Sequence, residues 1–296
     1  MDDFCLSIVG AAAFLAFGPV LGMLLAGVDR KVSARMQGRV GPPVTQPLLD
    51  VRKLFAKERS APNRFQDFYV ACYIGWTAFT GALFFAGMDM LLVFFTLSLA
   101  EAFLILAAFC TGSPFAQVGA QREAYAAMAF EPVVLIMAVG YYLATGGADG
   151  GTFSVLDIAR GGDMMILPML GIFAGFVLAL TIKLRKSPFD LSMSHHAHQD
   201  LVRGLSTEFS GRTFAMLEVS HWLESVMVLG MVALFLADGT WSGAALGVAA
   251  AALVWAIEIW VDNGFARMKW QTALKFGWVV ALALGLSNIA VLLVIA

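Results

Sequence analysis

The stretch MLLVFFTLSLAEAFLILAAFC, residues 90–110, holds a single charged side chain, Glu101. Crossing the hydrocarbon core of a bilayer takes about 20 predominantly apolar residues in a helix. Residues 90–110 therefore read as a membrane span with one acid sunk inside it. On either side the pattern repeats, with polar or Gly/Pro-bearing breaks between apolar runs. Spans are predicted at 4–28, 66–88, 90–110, 120–145, 165–183, 213–237, 242–262 and 271–295. The fold expected is all-α: one integral membrane domain over 1–296, a polytopic bundle of about eight transmembrane helices.

Composition agrees. Hydrophobic residues make up 60% and charged residues 14%, against about 45–50% and about 25% in soluble domains. The mean hydropathy is +0.80. With 19 Lys+Arg against 21 Asp+Glu, neither a basic nucleic-acid binder nor an acidic disordered chain is indicated, and no nucleic-acid partner is expected. The three cysteines, Cys5, Cys72 and Cys110, are widely separated. Without a C-x-x-C pair they suggest neither a disulfide framework nor an iron–sulfur or zinc site, so redox centres are expected on partners. Met1-Asp2-Asp3 lacks a basic n-region, and the first span reads as retained helix, not a cleaved signal.

Charge is distributed unevenly. With the spans as drawn, every Lys and Arg except Arg160 falls on one side. The positive-inside rule makes that side cytoplasmic, puts both termini outside and gives a multi-pass protein of a prokaryotic inner membrane in contact with lipid.

Two cytoplasmic loops, about 29–65 and 184–212, are too patterned for plain connectors. In the first, Gly38 to Pro43 is turn-rich, and Gln46-Pro47 opens a segment with Leu48, Val51, Leu54 and Phe55 on one side. Proline at the start and apolar residues at helical spacing predict an amphipathic helix. The second holds His195, His196 and His198 between Asp190 and Asp200. Their spacing is unlike the i, i+4 pair that binds zinc on a helix, so a proton-accepting loop at a partner interface is expected and no metal site. No internal repeat is evident, which weighs against a secondary transporter.

Glu101, Glu131, Glu218, Glu224 and Glu258 all lie inside predicted spans. A charge at the bilayer centre costs about 2.5–3.5 kcal/mol on insertion scales, so these acids must face the bundle interior, water or a partner. Glu218, His221 and Glu224 step by three and share one helix flank. With a rise of about 1.5 Å per residue, Glu224 lies roughly 18 Å inward of Arg212, making a ladder of titratable groups. Glu131 precedes Pro132, where a freed carbonyl favours a kink and bound water. Glu258 and Asp262 share a face at a spacing of four. Because the spans contain almost no basic residues, the acids are expected to lack cationic partners and to form a wet proton route.

Four stretches resemble one family. Gly38-Arg39-Val40-Gly41-Pro42, then Gln46-Pro47-Leu48, Asp50, Lys53-Leu54 and Lys57-Glu58, is similar to the first loop of the membrane subunit forming the quinone-site region of respiratory complex I, the NADH dehydrogenase subunit 1 family. Gly119-Ala120 through Arg122 to Phe130-Glu131 resembles that family's fourth helix. Ser187-Pro188-Phe189-Asp190 with Glu208-Phe209-Ser210-Gly211 resembles its fifth-to-sixth loop, and Arg267 to Gln271 with Phe276-Gly277-Trp278 the start of its last helix. The departures are Pro43, which ends the first loop early, the run Ser192 to Gln199 where quinone-linked members carry an acidic pattern, and His221 in place of an acid. These features resemble the homologous subunit of energy-converting, Ech-type (group 4) nickel-iron hydrogenases.

The resemblance implies a subunit that anchors nickel-iron hydrogenase large and small subunits and joins antiporter-like membrane subunits. It couples electron transfer between ferredoxin and hydrogen to proton or sodium movement. The nickel-iron centre and iron–sulfur clusters would belong to the partners, with no cofactor in this chain. Arg39, Asp50, Asp190, His195, His196, His198 and Asp200 would dock and couple the peripheral module; Glu101, Glu131, Glu208, Glu218, His221, Glu224 and Glu258 would carry the ion pathway. A quinone-linked subunit, an autonomous ion transporter and a passive anchor are the rival readings.

Overall fold

The computed structural model describes residues 3–58, 63–147, 150–189, 192 and 204–295. Its long helices are α1 (Asp3–Met36), α3 (Arg64–Phe85), α4 (Met90–Phe109), α5 (Pro114–Ala144), α8 (Gly211–Leu234) and α9 (Trp241–Gly264). Shorter ones are α2 (Gln46–Ala56), α6 (Val155–Arg160) and α7 (Leu170–Lys183). The last span consists of α10 (Trp270–Val280) and α11 (Ser287–Ile295), joined by a π-helical turn over Ala281–Leu286. Seven helical stretches are long and apolar enough to cross a membrane. They satisfy their own backbone hydrogen bonds, which is the condition for lying in lipid.

Local chemistry sets the boundaries. Asn63 caps α3 by accepting from Phe65 N at 3.1 Å, and Asp89 caps α4 by accepting from Leu91 N at 2.7 Å. Thr240 caps α9 by accepting from Gly243 N at 3.1 Å; each side chain takes up an orphan N–H of a first turn. Ser113-Pro114 opens α5, where a missing N–H costs nothing. α1 ends where Gly38, at φ 74°, lets Gly38 N and Arg39 N bond back to Arg35 O and Ala34 O at 3.0 and 2.7 Å, a Schellman turn that favours glycine.

The predicted span 165–183 is the one that differs. Residues 165–169 form turns and the helix starts only at Leu170, leaving α7 14 residues, about 21 Å at 1.5 Å per residue and short of the ~30 Å core. Pro168 disfavours helix in the residue before it. Asn288 of α11 takes over the helix start, accepting from Ile172 N at 3.0 Å and donating to Pro168 O at 2.9 Å. At its other end α1 runs beyond the predicted 4–28, carrying Asp29, Arg30 and Lys31 in regular helix.

The amphipathic α2 forms as expected but turns slightly differently. Pro47 and Val51 are buried, Val51 against Met23, Ala215 and Trp222, with Leu54 partly covered. Leu48 and Phe55 are exposed. The largest apolar core joins α4, α5, α7 and α8 around Met90, Met137, Tyr141, Phe176, Met231 and Phe235. α8 sits centrally, packed against α1, α2, α3 and α9.

Candidate functional site: a buried charge chain at the end of α7

The short α7 delivers Lys183, Arg185, Lys186 and Ser187 into the protein, all of them buried. Lys186 N donates to Thr181 O at 3.0 Å and Arg185 N to Ile182 O at 3.1 Å, the bond pair of another Schellman turn. Its left-handed position is occupied by Arg185, at φ 52°. A side chain there costs about 1–2 kcal/mol relative to glycine's freedom. The guanidinium is correspondingly well held.

Arg185 Nε donates to Glu123 Oε1 at 3.0 Å and Nη2 to the same oxygen at 2.5 Å, while Nη1 reaches Glu224 Oε2 at 3.1 Å. Lys183 Nζ lies 2.6 Å from Glu224 Oε1 and pairs also with Glu101. Ser192 Oγ donates to the second oxygen of Glu123. One continuous chain results: Glu101, Lys183, Glu224, Arg185, Glu123, Ser192. It starts inside α4 and ends at the first residues of the histidine loop. Burial alone would make Arg185 easier to deprotonate; Glu123 and Glu224 outweigh that and hold its proton more tightly than usual.

Beside this chain lies a cavity of about 270 Å³, walled by Asp29, Arg30, Glu218, His221, Glu224, Trp255 and Asp262 among others. Lys186 crosses one edge of it, bonded to Asp29 and lying 3.5 Å from Asp262 Oδ2. Burial would lower the Lys186 pKa, but Asp29 first and Asp262 second raise it above its ordinary value. Asp262 also accepts from Ser187 N at 2.8 Å. At the more open rim Arg30 donates to Asp50 at 2.8 Å and approaches Glu218 at 3.9 Å.

The ladder predicted along α8 is present: Glu218, His221 and Glu224 line this one cavity. The His221 ring meets the buried Tyr73 edge-on, centroids 6.4 Å apart. Glu101 and Glu258 are buried as expected. The expectation that the acids lack cationic partners is corrected: Glu101 and Glu224 are ion-paired with Lys183, and Glu224 with Arg185 as well. The cations come from beyond the predicted span, where the chain folds back into the bundle. Sequence reasoning missed Glu123, Lys183, Arg185 and Tyr73. The available signal was three cations within four residues at the end of an apolar helix, opposite buried acids.

Other predicted residues lie apart from the chain. Glu131 is half-buried, next to Phe130, over whose ring Lys183 Nζ sits 5.5 Å from the centroid; α5 continues through Pro132. Glu208 lies in the turn before α8 and its backbone carbonyl accepts from Gln66 Nε2 at 3.3 Å. Arg39 is exposed and donates to Gln37 Oε1. Asp190, His195, His196, His198 and Asp200 fall outside the described residues. Among the described residues no group of three His, Cys, Asp or Glu is placed to hold a metal ion.

The family model described as NADH dehydrogenase matches residues 9–293. The chain belongs to the NADH dehydrogenase subunit 1 family. Hydrogenase-4 component C of Escherichia coli is 30% identical over 236 residues, covering 74% of this chain and 72% of that protein. A membrane subunit of the NADH-quinone oxidoreductase of Syntrophobacter fumaroxidans is 26% identical over 97% of this chain and 95% of its own length. A chain of the membrane-bound sulfane sulfur reductase, an archaeal respiratory membrane complex, superposes with a TM-score of 0.81 at 25% identity, covering 95% of this chain and 99% of that one. This family member is a multi-pass membrane subunit of a complex I-like oxidoreductase assembly in a prokaryotic membrane.

Proposed function

We propose that this subunit couples a peripheral nickel-iron hydrogenase module to ion movement across the membrane. Ferredoxin and protons, or hydrogen in reverse, exchange electrons on the partners' nickel-iron and iron–sulfur centres. This chain supplies the anchoring surface and the charge chain beneath it. The side bearing the basic residues faces the cytoplasm across an inner membrane, and both termini lie outside. The loops 29–65 and 184–212 form the docking face, with Arg39, Asp50, Asp190, His195, His196, His198 and Asp200 at the contact.

One observation carries this reading. Ser192, at the start of the histidine loop, is hydrogen-bonded to Glu123, from which paired charges continue through Arg185, Glu224 and Lys183 to Glu101. A displacement of the loop or a change of its charge thereby reaches the middle of α4 through contiguous electrostatic contacts. In a low-dielectric interior such contacts are strong and cannot be broken singly without cost. Glu218 and His221 give the same chain a hydrated side toward the basic face, and Glu131, Glu208 and Glu258 flank it. Antiporter-like membrane partners would take up the ion beyond Glu101 and Glu258.

The cavity favours water and ions over an isoprenoid. Gly18 and Gly22 of α1 press on Leu223 and Trp222 of α8 so closely that a Cβ at Gly22 would overlap the Trp222 backbone. This closes that seam against a lipid tail. The quinone-linked alternative is favoured instead by the 97% coverage shared with the NADH-quinone oxidoreductase relative. Purification of the whole complex decides between them. Stoichiometric nickel with ferredoxin-dependent hydrogen evolution supports the hydrogenase reading; bound quinone with no nickel overturns it.

A further inference from the structure

Four glutamates are almost wholly buried: Glu101, Glu123, Glu224 and Glu258. The first three each have a lysine or arginine nitrogen within ion-pair distance. Glu258 differs. Among the described residues its one hydrogen bond comes from Thr181, whose hydroxyl donates to Oε1 at 3.3 Å, and its Oε2 is buried without a partner.

The surrounding charges are committed elsewhere. Lys186, the nearest candidate cation from the turn after α7, is shared by Asp29 of α1 and Asp262 of α9. From α8, Glu224 is held by Lys183 and Arg185. Asp262, one helical turn along α9, adds a like charge on the same face. A carboxylate so enclosed has lost its water and gained neither cation nor full hydrogen bonding, a state that proteins avoid by neutralising the group.

We propose that Glu258 is a proton-binding site: a neutral carboxylic acid at rest, with Thr181 donating to Oε1 and the proton carried on Oε2. Uptake adds one proton to a carboxylate and release returns it, with no other bond changed. Release leaves a bare carboxylate one helical turn from Asp262, whose partner Lys186 can then be exchanged between the two. The buried acids thus divide into a fixed set, ionised and cross-linked, and one member free to change protonation. That the proton belongs to the transported ion stream rests on the proposed function; the protonation itself does not.

Infrared difference spectra of the intact complex in lipid nanodiscs test this at neutral pH. Subtracting the E258Q spectrum from wild type should leave a protonated-carboxyl carbonyl band, and E101Q and E224Q should not remove it. T181V keeps the carboxyl and should shift the band upward by removing the hydroxyl donor, so the readout survives if E258Q assembles poorly. Loss of carboxylate bands in E258Q, with no protonated band responding to T181V, overturns the proposal. A protonated band lost in E258Q, together with unchanged ion transport, upholds the site and removes it from the coupling route.

Discussion

The two ends of α8 solve opposite problems with one helix. Toward the basic side it carries Glu218, His221 and Glu224 around a polar cavity. From Met227 onward it presents Met227, Val228, Met231 and Val232 to a closely packed apolar core with Met137, Tyr141 and Phe176. The apolar half is held by contacts that are individually weak and collectively large. The polar half is held by a few charges that are costly if left alone. The difference arises because α7 stops short and its cationic end turns into the bundle.

Breaking the polar half should have the largest effect. Arg185→Ala leaves Glu123 and Glu224 buried with a cation removed, and an expected loss of about 3–5 kcal/mol, read as a fall in thermal stability of the detergent-purified complex. Glu224→Gln should likewise weaken folding as well as ion transport, because Glu224 is an ion-pair partner. In the apolar half Met231→Ala should cost about 2–3 kcal/mol through the cavity left and leave the coupling ratio of ion transport to electron transfer unaltered. Arg185→Gly sharpens the comparison: it loses the same charge but relieves the left-handed backbone at φ 52°. It should therefore be more stable than Arg185→Ala by about 1 kcal/mol.

Titration separates the halves further. The Lys186 pKa lies above its ordinary 10.5. Its contribution is therefore complete below about 10.5 and lost only as pH climbs through the raised value. Melting temperatures should fall above that point in wild type, and less steeply in Lys186→Gln. At the rim Arg30→Gln should cost no more than about 1 kcal/mol, since Arg30 and Asp50 are well exposed and screened.

The spans were legible because lipid demands long apolar runs, and Glu218, His221 and Glu224 because helical spacing fixes a flank. α2 was legible from Gln46-Pro47 and its apolar positions. The counter-charges were not. Lys183, Arg185 and Lys186 follow an apolar run just as charges at a membrane surface do, and only the left-handed turn at Arg185 sends them inward. The early end of α7 depends on Pro168 together with Asn288, more than a hundred residues away, a long-range hydrogen bond that local pattern does not register.

A double-mutant cycle between Arg185→Met and Glu123→Gln, read as unfolding free energy of the purified complex, tests the buried charge chain most directly. A coupling energy above about 1 kcal/mol is the predicted result. Additivity within about 0.3–0.5 kcal/mol would mean the two side chains do not act on one another, and would contradict the account.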